Sequence, residues 1–99
     1  MITIELKNND IIKQAKYGYK PKYIDVLKII NSYINKKKFK VSNETFKKDP
    51  YHKICKHLIL NLESGKKIVI LEGETILIKI VNTTLENIEE FKLIKKNQE

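Results

Sequence analysis

Ninety-nine residues are enough for one domain with one hydrophobic core, and a 41% hydrophobic content with only three Gly and two Pro argues against a disordered or fibrous chain. No apolar run approaches the ~18 residues of a membrane span. The first residues lack the apolar stretch of a secretory leader, and the single cysteine, Cys55, excludes an intrachain disulfide framework.

These limits describe a single globular domain over residues 1–99, working in the cytoplasm of a cell. The net charge of +8 rests on twenty Lys and no Arg. Recognition by the planar guanidinium fork is therefore not open to this chain, whereas point-charge attraction is. The charge is unevenly spread. Residues 1–56 hold fourteen Lys against five acids, and residues 57–99 hold six Lys against seven Glu. The basic excess of the first half makes an acidic protein or a polyanion such as nucleic acid a plausible partner. An AT-rich genome accounts for abundant Lys, Ile and Asn equally well.

Ile2, Ile4 and Leu6 alternate with Thr3, Glu5 and Lys7, which predicts a half-buried strand over 1–7. Turn-forming Asn8-Asn9-Asp10 follows, and Asp10 is placed to cap a short helix over 11–16, ended by Gly18. Residues 16–23, KYGYKPKY, form a connector with Tyr and Lys interleaved. Pro21 suits the first turn of a helix over 21–35. There Tyr23, Leu27, Ile30 and Ile34 recur at helical spacing. Residues 36–38 are three consecutive Lys at the negative end of its dipole. A short strand at 39–41 and one helical turn within 42–48 follow.

Asp49-Pro50 reads as a helix start. Tyr51, Ile54, Cys55, Leu58 and Leu62 share a helical stripe over 50–63, with Leu60 out of phase on the opposite face. The most strongly patterned stretch is residues 66–81, KKIVILEGETILIKIV. It predicts a β-hairpin turning at Glu72-Gly73-Glu74, with Ile68, Ile70, Ile76, Ile78 and Ile80 on a core face. Its second face, with Val69, Leu71, Leu77 and Val81, is also apolar and needs a cover. That unpartnered face, with Leu60, points to a homodimer. Thr83-Thr84-Leu85-Glu86 matches a capping box and predicts a last helix over 84–95, although 90–94 also reads as a strand. The expected fold is α+β, a small mainly antiparallel sheet of strand 1–7 and hairpin 66–81 packed against two or three helices.

No constellation points firmly to catalysis, a metal or a cofactor. On a helix His52 and Cys55 approach each other, but His57 lies about 140° away around the axis, so the three do not converge on one ion. A Cys55–His52 nucleophile pair would place its thiol in the buried stripe, where a thiolate is disfavoured. The sequence contains no Gly-rich phosphate loop, paired-carboxylate motif or Ser-His-Asp order.

The best binding candidate is a polyanion surface made of Lys16, Tyr17, Tyr19, Lys20, Lys22, Lys36, Lys37, Lys38 and Lys40. Tyr rings stack on unpaired bases while Lys holds phosphates. The competing reading is that the Tyr rings cap the core and the Lys are solvated. A strand followed by two helices also fits a ribbon-helix-helix DNA binder, with Thr3, Glu5 and Lys7 facing the major groove. The expected protein is a non-enzymatic interaction protein.

Taken whole, the chain resembles the small proteins of unassigned role from filamentous viruses of acidophilic hyperthermophilic archaea. The start MITIELKNND, Lys without Arg, the Ile-rich strands IVIL and ILIKIV, and only two Gln carry the likeness. It implies a stable viral protein, located in the host cell or virion, and carries over no site residue. Nine Asn depart from a heat-adapted composition.

Overall fold

A computed structural model describes residues 1–7 and 10–81. It is a mixed α+β fold in which strands dominate. In chain order the elements are β1 (Ile2–Lys7), β2 (Ile12–Tyr19), β3 (Lys22–Asp25), α1 (Leu27–Tyr33), β4 (Phe39–Lys40), α2 (Asn43–Phe46), β5 (His57–Leu62), β6 (Lys67–Leu71) and β7 (Thr75–Val81). They form a three-stranded sheet, β1-β7-β4, and a four-stranded sheet, β3-β2-β5-β6.

Strand β1 forms as its alternation predicts, burying Ile4 and Leu6. Its partner is β7, in parallel, with Ile4 beside Ile78. The short strand at 39–41 and the helical turn within 42–48 are also present, as β4 and α2. Four residues cannot hold a helix by themselves. Here Ser42 Oγ accepts a hydrogen bond from the Thr45 N–H at 3.2 Å, and Lys47 ends the turn at φ 58°.

Three predicted helices are corrected. Residues 12–16 belong to β2, because pairing with β5 takes up backbone groups that a helix would bond within itself. A bulge at Lys13 leaves both Lys13 and Gln14 exposed and restores Ile12, Ala15 and Tyr17 to the core side. The helix over 21–35 shortens to α1, because residues 22–25 pair with β2 as β3 and Pro21 sits in the turn after a cis Lys20–Pro21 peptide. The helix over 50–63 is replaced by a loop and β5. Leu58, Leu60 and Leu62 are all fully buried, so the residue out of phase for a helix is in phase for a strand. Without a helix after β1, the ribbon-helix-helix arrangement is also overturned.

The hairpin over 66–81 is corrected in its pairing. Strand β6 pairs with β5 around Glu63-Ser64-Gly65, where the Gly65 N–H donates to Leu62 O and Gly65 has φ 98°. Strand β7 leaves for the other sheet. Gly73, at φ 101°, makes the corner, with its N–H on Val41 O and the Val41 N–H on Glu74 O, both at 2.8 Å. Both faces of a 66–81 hairpin are apolar. Splitting it lets Ile70 cover one sheet and Ile76 and Ile78 the other. Where β4 stops, Asn35 continues the edge of β7, its N–H bonding Ile78 O and its Oδ1 accepting from the Ile80 N–H. The predicted helix over 84–95 lies outside the described residues.

One buried cluster draws on both sheets. An aromatic run crosses it, Tyr33 on Phe39 (centroids 4.6 Å), Phe39 edge-on to Phe46 (6.4 Å) and Phe46 on Tyr17 (4.6 Å). At the close approach of β2 and β3, a Cβ on Gly18 would collide with the Lys22 carbonyl oxygen and lie 2.8 Å from Tyr23 Cα. Gly18 also sits at φ 154°. Gly18→Ala is expected to cost about 3 kcal/mol of stability, read as a lowered denaturant midpoint.

Tyr17 is fully buried and donates its hydroxyl proton to Asn43 Oδ1 at 2.7 Å. Burial, and then the negative charges of Glu72, Asp49 and Glu44, hold its phenol well above the ordinary range. A raised pKa contributes stability that is intact below the unfolded value near 10 and lost as pH rises above it, at about 1.4 kcal/mol per pH unit. Tyr17→Phe is expected to cost about 1 kcal/mol at neutral pH and to flatten the fall in stability above pH ~10, measured by urea denaturation.

Candidate nucleic-acid interface

The nine predicted polyanion residues divide into three groups. Lys16, Tyr19, Lys20 and Lys22 lie on β2, β3 and the turn between them. Lys36, Lys37, Lys38 and Lys40 are exposed between α1 and the end of β4, beside the three-stranded sheet. Tyr17 belongs to neither surface. Its ring is in the core, so it is corrected from a stacking residue to a packing one.

At the β2–β3 turn the side chains form a basic aromatic surface. Strand pairing sets Gly18 opposite His57, and the half-exposed Tyr19 ring stacks on the His57 imidazole, with centroids 5.3 Å apart and planes at 26°. Lys22 Nζ lies 4.8 Å from the centre of the Tyr51 ring, and Lys16 Nζ lies 4.5 Å from that of Tyr23. Lys20 projects from the turn itself, exposed. Residues 47–56 form the adjoining loop and carry the exposed Lys47, Lys48, His52 and Lys53. In the other group, Lys37 Nζ lies 5.5 Å from the Tyr33 ring centre.

Lys56 holds that loop in place. It is 3% exposed, and its ammonium donates to Ile54 O at 2.6 Å and Tyr51 O at 3.1 Å. It pairs with Asp49 Oδ1 at 3.1 Å, and Glu72 Oε1 lies 3.6 Å away. The same Glu72 oxygen accepts the Lys56 backbone N–H at 2.9 Å. A buried ammonium is tolerated here because two carbonyls and two carboxylates surround it. By fixing the Tyr51 carbonyl, Lys56 also sets the ring beneath Lys22.

His52, Cys55 and His57 do not share a helix. His52 and Cys55 are exposed in the loop, and His57 opens β5 against Tyr19. Among the described residues, no three His, Cys, Asp or Glu side chains gather as ion ligands. An open cleft of about 400 Å³ at the start of α1 is lined by Asp25, Leu27, Lys28 and Asn31, a set with no nucleophile and one carboxylate. No helix among the described residues is long and apolar enough to cross a membrane.

Tyr51 and His57 belong to the basic aromatic surface and were not expected there. A helix over 50–63 places them on one element. Only the β2–β5 pairing brings His57 under Tyr19.

Partial desolvation raises the Asp49 carboxyl, but hydrogen bonds from Lys56, His52 and the Tyr51 N–H outweigh it and hold the group below the usual carboxylate range. A depressed carboxyl contributes stability present above its unfolded value near 3.9 and lost as pH falls through the folded one. Lys56→Met is expected to cost about 2–3 kcal/mol at pH 7, because two carboxylates lose their cation while keeping some water contact. Acid titration of the folded fraction should show a shallower loss below pH ~4 in that variant than in the parent. Compared with protein-family models, curated proteins and solved structures, the chain matches none.

Proposed function

We propose that this is a non-enzymatic interaction protein that binds single-stranded nucleic acid at the β2–β3 end of its four-stranded sheet. One observation carries the reading. Tyr19 is 45% exposed with its ring already stacked on His57, and its cross-strand partner Lys22 and the turn residue Lys20 are both exposed. A ring held flat in advance loses little freedom when a base stacks on it. Ammonium groups at the same turn attract the phosphates of a strand laid over that ring. Lys without Arg suits backbone attraction with little base readout, so the preference is for strandedness rather than sequence. The group at 36–40 adds longer-range attraction. The compositional likeness to small archaeal-virus proteins supports a host-cell or virion setting as part of the same proposal.

The test is fluorescence anisotropy with a labelled oligothymidylate across a salt series. Binding should weaken steadily with salt, as counterion release requires. Tyr19→Ala should reduce affinity roughly 5- to 100-fold, the range for one stacked base. Lys20→Ala with Lys22→Ala should reduce it and make the salt slope shallower. Absence of binding at low salt ends the proposal. Equal binding to polyglutamate, with Tyr19→Ala without effect, would transfer the reading to an acidic protein partner.

A further inference from the structure

We propose that β6 pairs with β6 of a second copy, antiparallel, across a two-fold axis at Val69, joining two four-stranded sheets into one of eight strands. This inference does not depend on the nucleic-acid reading.

Strand β6 is an edge, bonded to β5 on one side and to no other strand among the described residues. The bonds that bracket it fix which way its backbone points. The Leu62 N–H donates to Lys66 O, and the Glu72 N–H donates to Lys56 O, both at 2.9 Å. Antiparallel pairs alternate between bonded and non-bonded, so Ile68 and Ile70 also face β5. Lys67, Val69 and Leu71 therefore direct their N–H and C=O groups outward. The Leu71 carbonyl accepts the Glu74 N–H at 3.3 Å and keeps a second lone pair.

The β3 and β1 edges are blunted more than this one. Strand β3 is four residues long with Lys22 and Asp25 at its ends, and β1 carries Glu5 and Lys7 on its exposed face. Strand β6 has no Pro and no bulge, and after Lys67 its outer face shows Val69 at 52% and Leu71 at 51% exposure. Ile59, half-buried, lies beside Val69 on β5.

Charge selects the occupant and the register. The stretch 66–74, KKIVILEGE, is basic at its start and acidic at its end. With Val69 opposite the second copy's Val69, Lys66 lies opposite Glu72, Lys67 opposite Leu71, and Ile68 opposite Ile70. All three outward residues then find bonding partners. Sliding the pair by one bonded step leaves one of them unpaired and moves Lys66 away from Glu72. A two-fold pairing is closed, so the assembly stops at two copies. The Ile59, Val69 and Leu71 patches become continuous across the axis.

Light scattering after size-exclusion chromatography, from 5 to 200 µM, should show a dimer for the parent chain. Val69→Lys brings two ammonium groups together at the axis and should give a monomer with unchanged circular dichroism, since the side chain is half-exposed. Hydrogen exchange should show the Val69 and Leu71 amides gaining protection as concentration rises. A parent chain that stays monomeric at 200 µM overturns the proposal. So does a dimer in which those two amides exchange freely, or one that survives Val69→Lys.

Discussion

The structure depends on one run of rings, Tyr17, Phe46, Phe39 and Tyr33, which ties two separate sheets to one core. Among the described residues neither sheet is closed, and each buries only one face. Phe39 belongs to the three-stranded sheet and Tyr17 to the four-stranded one, so Phe46 is the joint between them. That explains why so short a helix as α2 exists. Its Ser42 cap and its left-handed end at Lys47 present a single ring at the right height. The buried Tyr17 hydroxyl is satisfied by Asn43 on the same turn, so the joint carries no unpaired polar group.

A second constraint acts at the corner where β6 gives way to β7. Glu72 accepts the Lys56 N–H and lies close to its ammonium, while Gly73 and Glu74 bond to Val41 on the other sheet. The corner thus fixes three segments distant in sequence, and the loop before β5 is fixed with them. Its consequence reaches the surface. Because β7 departs at Gly73, β6 is left as an apolar edge. Because Lys56 holds residues 49–56, Tyr51 lies beneath Lys22. The two proposed contact surfaces follow from the same turn.

The patterns that survived were those whose reading needs no partner. Alternation marked β1, the buried Ile70, Ile76 and Ile78 and the partly buried Ile68, whereas Ile80, expected on the same face, is exposed. Ser42 marked a helical turn. Tyr19, Lys20 and Lys22 are neighbours in the chain and stay together at the β2–β3 turn. Residues 50–62 were misread because Tyr51, Ile54, Cys55, Leu58 and Leu62 satisfy a helical period, and Leu60 was the sole sign of the strand. At 11–16, Ile12 and Ala15 are three apart, which suits a helix and equally a bulged strand. From the chain alone, Tyr17 reads either as a stacking ring or as a cap on the core. Only a second sheet turning toward it makes it core.

By itself, the sequence determined the single-core composition, the basic first half, the local alternation and the turn at Gly73. Each of these follows from sterics or charge within a few residues. Tertiary structure decided which strand each run pairs with, that β1 and β7 run parallel, and that His57 meets Tyr19. Pairing is non-local. Val69 or Leu71 can complete a hairpin with β7 or an edge beside β5 with the same alternation, and the choice rests on which arrangement covers Leu58, Leu60 and Leu62. That is a property of the whole core, and no window of the chain contains it.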